Sequence, residues 1–155
     1  MENEEVKKRL SGIRNLPTLP VVVENIIQLT QNPDSTAFDI AQEISKDVTL
    51  ASKVLRTANS AYYGFPKKIS SIHYAIVVLG LNNIKNIVLS TTIMDYFPNA
   101  GSSGRFNRKE FWKHSLLCGI ICKIIAERMG LKNADEFFMC GLLHDFGKLI
   151  LDQFF

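Results

Sequence analysis

At 155 residues, with 46% hydrophobic and 21% charged side chains, the chain has room for one domain with its own core and not for two full ones. A formal net charge of +3 is too small to argue for a nucleic-acid partner, and Lys7-Lys8-Arg9, Lys67-Lys68 and Arg108-Lys109 read as solvated surface. No apolar run reaches the ~18 residues that a bilayer span needs, because Lys123 interrupts the best candidate, so no membrane partner is expected. The acidic start, Met1-Glu2-Asn3-Glu4-Glu5, lacks a signal-peptide pattern, and three cysteines without one favour a reducing, cytoplasmic setting.

In chain order, Glu4 to Leu10 suits a short helix ended by Ser11-Gly12. Leu16-Pro17-Thr18-Leu19-Pro20 breaks it, since proline lacks an amide donor and holds its predecessor extended. Pro20 suits the first turn of a helix over Val21 to Gln31, with Val22, Ile26 and Leu29 on its stripe. After the Asn32-Pro33-Asp34-Ser35 turn, Thr36 and Asp39 form a capping-box pattern for a helix to about Lys46, with Phe38, Ala41 and Ile44 on the apolar face. Asp47 is the expected N-cap of the next helix, where Leu50, Val54 and Ala58 share a face.

The run from Asn59 to Pro66, with Tyr62, Tyr63 and Gly64, interrupts the helical pattern. Ser70 is the expected cap of a short helix through Val78. Gly80 breaks it, and Leu81 to about Phe97 supplies a dense apolar helix expected at the centre of the fold. Residues 98–107, with Pro98, Gly101, Ser102, Ser103 and Gly104, form the clearest loop. Asn107 with Glu110 opens a long helix to about Met129, closed by Gly130, and Asn133 with Glu136 opens another that leads to His144. No segment alternates like a strand, so the fold is read as all-α.

Three side chains can serve a hydrolytic metal: His114, His144 and Asp145. Adjacent helical residues diverge by about 100°, so His144 and Asp145 can flank one ion only from a helix end, and Gly147 is consistent with such an end. Lys148 then stands as a candidate phosphate contact. His114, Cys118 and Cys122 recur at intervals of four, as do Cys140 and His144, so a zinc site from His114, Cys118, Cys140 and His144 is a second arrangement. The plain alternative makes the cysteines small packed hydrophobes and His144 a hydrogen-bonded core residue. Leu149, Ile150, Leu151, Phe154 and Phe155 make an apolar tail, expected to pack on the body or on a second chain, which makes a homo-oligomer one candidate assembly.

Several stretches carry a family resemblance: Leu16 to Pro20, Ile40 to Asp47, Leu55-Arg56-Thr57-Ala58-Asn59-Ser60-Ala61-Tyr62-Tyr63-Gly64, Ile69-Ser70-Ser71-Ile72, Phe111-Trp112-Lys113-His114-Ser115, and Gly141 to Lys148. With these the sequence resembles the HDOD domain, a bacterial signalling relative of the HD phosphohydrolase superfamily. The resemblance implies an HD-type helical bundle with an N-terminal helical lobe. It divides the chain into an extension (1–15) and the domain (16–155), the latter with a lobe (16–97), a loop (98–107) and a partial HD-like part (108–155). It implies a regulatory or output module that acts through signalling proteins or additional domains, without an established reaction and without a required cofactor.

In catalytic HD enzymes a first His, the His-Asp pair and a later Asp hold metal. By that resemblance His114, His144 and Asp145 fill the first three roles, which keeps two alternatives open: a metal-dependent phosphohydrolase or phosphodiesterase, and a nucleotide sensor using the same pocket. The fourth ligand would fall beyond Phe155 with the family's last helices. Asp152 is too near His144 to replace it, and no Gly-Tyr-Pro signature occurs. Asn59, Tyr62 and Tyr63, in the most family-specific stretch, are candidates either for a partner surface or for packing between lobes.

Overall fold

Local polar bonds set most helix starts. Thr36 accepts from the Asp39 amide while the Asp39 carboxylate accepts from the Thr36 amide, so the capping box forms as expected. Asp47 accepts from Thr49 and Leu50, and Asn107 accepts from Glu110. In this computed structural model residues 18–97 and 106–154 are described, together with Glu4, Lys7, Lys8 and Ser11, which are helical. The rest of the expected first helix, Leu16-Pro17, residues 98–105 of the expected loop and Phe155 lie outside the described residues, as does the side chain of Phe154.

Beyond those N-terminal helical residues, eight helices follow and none of the described residues is in a strand: α1 (Val21–Gln31), α2 (Ala37–Ser45), α3 (Val48–Ala58), α4 (Ile72–Leu79), α5 (Leu81–Tyr96), α6 (Arg108–Arg128), α7 (Ala134–Leu143) and α8 (Phe146–Phe154). α5 is the hub, packing against α1, α3, α4 and α7. Its Ile84, Ile87 and Val88 are buried with Val23, Ile26, Ile40, Ile44, Val54, Ile69 and Ile76 in the larger core. Each such aliphatic side chain contributes about 1.5–3 kcal/mol on burial. A smaller core gathers Phe97, Phe111, Trp112 and Leu149, with the Phe97 and Phe146 rings edge to face at 5.2 Å. No single described helix is long and apolar enough to cross a membrane, and α4 and α5, which pass that test only as a pair, meet at 119°.

The expected α1 stripe packs on the larger core, with Ile26 buried and Val22 and Leu29 half-buried, and Val23 is buried beside it. Three local expectations are corrected. Phe38 is 65% exposed: α2 meets the core through Ile40, Ala41 and Ile44, one turn further on. Ser71 caps α4, accepting from the Tyr74 amide, in place of Ser70. Asn133 adopts a left-handed φ of 63° and makes no side-chain cap, the Glu136 amide donating instead to the Asn133 carbonyl.

The apolar tail becomes α8, with Leu149 buried, Ile150 half-buried and Leu151 exposed. A buried ion pair locks it to α6: Arg108 Nε donates to Asp152 Oδ2 at 2.7 Å, both side chains 4% exposed. Removing one member of such a pair leaves a dry charge uncompensated. Arg108→Met is expected to lower stability to urea by about 3–5 kcal/mol, and Arg108→Met with Asp152→Leu by clearly less. Equal losses would contradict the assignment.

Candidate functional site

α6 and α7 pack closely because glycine meets backbone at two points. A Cβ on Gly141 would lie 2.7 Å from the Cys118 carbonyl oxygen, and one on Gly119 would lie 2.8 Å from that of Phe138. This contact fixes the register, so the chemistry-bearing side chains of both helices converge. α7 stops at Leu143, His144 is its C-terminal cap, and Asp145 lies in the turn before α8, the helix end that joint use of the two residues requires.

The His114 and His144 rings stand 5.3 Å apart. Asp145 Oδ2 lies 3.3 Å from His144 Nε2 and 3.8 Å from His114 Nε2. Cys118 Sγ lies 3.6 Å from His114 Nε2, and ligand atoms of His114, Cys118 and His144 all fall within 4.8 Å of one another. His144 Nδ1 is 2.7 Å from the Gly141 carbonyl. A carbonyl only accepts, so the proton sits on Nδ1 and Nε2 faces the cluster. Cys140, by contrast, is exposed and outside this group. Asp152 is engaged with Arg108 and takes no part.

Lys148 reaches back one turn of α8 to Asp145 Oδ2 at 2.5 Å. Its ammonium, ahead of the smaller pulls of His144 and His114, holds the Asp145 carboxyl below the ordinary aspartate range. The cluster is open to solvent on one side, with the His114 and Lys148 side chains more than half exposed. Two neighbours escape sequence reasoning altogether. Ser115 Oγ and Trp112 Nε1 are buried with no hydrogen-bond partner among the described residues, and nothing in the sequence separates them from packed core.

The Asn59 to Gly64 segment is anchored by Asn59. Asn59 Nδ2 donates to the Leu55 and Ile69 carbonyls at 2.7 and 2.8 Å, and its Oδ1 accepts from the Ile69 amide at 2.8 Å. Its amide therefore ties the end of α3 to the strap leading into α4 and is spent on the fold. Gly64 takes the left-handed turn, φ 61°. Tyr62 is exposed, and its ring meets that of half-buried Tyr63 edge to face at 4.8 Å. Both line a cleft of about 270 Å³, opposite Leu116 and Ile120 of α6 and Phe138 of α7. Lys123 spans its rim, donating to Asn83 Oδ1 at 2.9 Å and Asp135 Oδ1 at 2.7 Å.

With the fold and the His-Asp corner in view, comparison with known proteins is specific. The HDOD domain family model matches residues 16–155, and the chain belongs to the HDOD domain family. A protein of Treponema pallidum (strain Nichols) is 29% identical over 140 residues, covering 89% of this chain and 26% of that protein. An HDOD domain protein of unknown function from Geobacter sulfurreducens superposes with a TM-score of 0.78 at 34% identity, over 94% of this chain and 48% of that one. A proposed phosphohydrolase from Shewanella amazonensis SB2B follows, with a TM-score of 0.73, 31% identity and coverage of 92% and 49%. A proposed signal transduction protein from Marinobacter aquaeolei VT8 gives a TM-score of 0.69, 26% identity and coverage of 90% and 32%. The chain thus spans about a quarter of that Treponema protein and about half or less of these structures.

Two pH-linked outcomes follow from this geometry. Lys148→Gln is expected to raise the Asp145 pKa toward the ordinary aspartate value in a carboxylate carbon NMR titration, and an unmoved midpoint would contradict the ion pair. Burial, then Tyr62 and then Asp135, push Tyr63 up from 10.0 to about 12. An acid whose pKa is raised by folding costs no stability below its unfolded pKa and loses stability as pH rises from there to the folded value. The protein should therefore weaken between pH 10.0 and about 12, and Tyr63→Phe should remove that part of the alkaline loss in urea melts.

Proposed function

We propose that the chain is a regulatory or output module of bacterial signal transduction, cytoplasmic, working through protein contacts without turning over a substrate. The outward face of α6 carries this reading. Leu117, Ile121, Ile125 and Met129 recur every four residues and are 59%, 53%, 51% and 66% exposed, with Ile124 exposed beside them. A contiguous apolar stripe of this kind on a folded surface marks an interaction site. The occupant it fits is a further helical domain presenting a complementary apolar stripe, and the relatives, two to four times longer than the matched stretch, have length for such a domain. The Marinobacter neighbour's description as a signal transduction protein agrees.

The corner itself supports restraint rather than turnover. Lys148 already occupies the Asp145 oxygen that a hydrolytic metal would use, and a cation so placed opposes binding of a second one. One observation favours the other reading, a metal-dependent phosphohydrolase: His114, His144 and Asp145 do converge, and a Shewanella neighbour carries that description. There the metal would supply an activated water, and Lys148 would face phosphate.

Purified protein incubated with Mn²⁺ or Fe²⁺ and either bis(p-nitrophenyl) phosphate or a cyclic dinucleotide is expected to give no product above the metal-only blank. Turnover abolished by His144→Ala would overturn the regulatory reading. Leu117→Glu with Ile121→Glu is expected to abolish capture of a mass-identified bacterial partner while leaving the melting temperature unchanged. Retained capture would contradict the stripe's role.

A further inference from the structure

The cleft beside Tyr63 has no role in the α6 stripe or in the His-Asp corner. We infer that it is a binding site for a small neutral compound, one or two planar rings bearing an N–H donor. Such a site lies apart from the stripe, and its occupancy does not depend on whether the stripe recruits a partner.

Size sets the first limit. A dry cavity of about 150 Å³ accepts benzene, and drug-sized ligands occupy about 300–1,000 Å³. At about 270 Å³ the cleft lies between the two, with room for one or two rings. Ile87 and Met94 of α5, Leu116 and Ile120 of α6 and Phe138 of α7 give it apolar walls suited to a flat ring. Charge sets the second limit. Among the described residues that line the cleft, Lys123 is the one charged side chain. It is already paired with Asp135 Oδ1 at 2.7 Å and Asn83 Oδ1 at 2.9 Å, with Glu127 at 4.0 Å. An anion would have to compete with Asp135 for that ammonium, and a cation would enter with no carboxylate in the lining to meet it. A neutral ligand avoids both costs.

Polar atoms set the third limit, and they are unevenly placed. On α5 the Ser90 and Thr91 hydroxyls donate back to the Asn86 and Ile87 carbonyls, which leaves only their lone pairs for a ligand. Asn86 between them in the cleft is 6% exposed. Its Nδ2 donates to the Asp135 carbonyl at 3.3 Å, and its Oδ1 accepts from no described residue. A buried amide oxygen left without a donor is costly, so the α5 wall selects a ligand that brings an N–H. Across from it the Thr57 and Ser60 hydroxyls make no hydrogen bond among the described residues and can serve the ligand's opposite edge.

The probes are indole, a flat two-ring body with one N–H, its N-methyl derivative, which lacks the donor, and indole-3-carboxylate, which adds a charge. Each is titrated into the full, isotope-labelled chain and followed by amide chemical shifts. Indole is expected to move the Tyr63, Asn86 and Ile120 amides saturably. N-methylindole and indole-3-carboxylate are expected to bind about fivefold more weakly, the scale of one hydrogen bond. Asn86→Leu, checked by a native-like spectrum, is expected to bind indole and N-methylindole equally. Ser60→Trp, which fills the cleft and removes no side-chain hydrogen bond, is expected to lose the indole shifts. Four results would each overturn the proposal: no saturable shift up to the solubility of indole, shifts confined to Leu117, Ile121 and Ile125 on the outer stripe, equal binding of the three probes by the native protein, or indole binding undiminished in both variants. Partner capture by the α6 stripe is measured separately, so failure here is distinct from failure of the regulatory reading.

Discussion

α6 and α7 approach each other at two glycines, and the remainder of the site depends on that approach. Helix axes normally stay 8–10 Å apart because side chains stand between them. An added methyl would collide at Gly141 with the Cys118 carbonyl and the Gly119 Cα, and at Gly119 with the Phe138 carbonyl and ring. The crossing sets the register of the hairpin. Cys118 touches Gly141, His114 stands one helical turn before Cys118, and His144 stands three residues after Gly141. Two imidazoles and a thiol then meet without any of them needing to drive the packing.

That corner is electrostatically settled by the protein's own groups. The Asp145 carboxylate lies 3.3 and 3.8 Å from the two imidazole Nε2 atoms, and Lys148 pairs with it from the next turn. Meanwhile the Arg108–Asp152 pair and Leu149 fasten α8 beneath it, so the turn carrying His144 and Asp145 is held from both sides. Polar ties join α5 to α6 and α7 at the cleft, where Lys123 bridges Asn83 and Asp135 and the Asn86 amide reaches the Asp135 carbonyl. These features describe a braced scaffold with an apolar outer stripe on α6.

Features that depend on neighbours in sequence were legible in the sequence. The Thr36–Asp39 box, the Asp47 and Asn107 caps, the break at Gly80 and the Gly130 stop all arise within four residues, and each forms as read. His114 and Cys118 share a face for the same reason. Readings failed where tertiary packing chose between equivalents. Nothing local distinguishes Ser70 from Ser71 as a cap, and Phe38 continues the spacing of Ala41 and Ile44 but lies beyond the surface that α2 covers. Cys140 is exposed and stays outside the His114, Cys118 and His144 group, which nothing in its spacing announces. The Arg108–Asp152 pair, 44 residues apart, and the glycine crossing have no sequence period to announce them.

The central claim is that the glycine crossing brings the α6 histidine against the His-Asp corner, and it has a direct solution test. A nuclear Overhauser effect between the His114 and His144 imidazole protons, assigned by single His→Gln variants, reports that approach. The account predicts a clear cross-peak in the native protein, given rings 5.3 Å apart, and its loss in Gly141→Val. A native spectrum without the cross-peak, in which both rings are otherwise assigned and sharp, would contradict it.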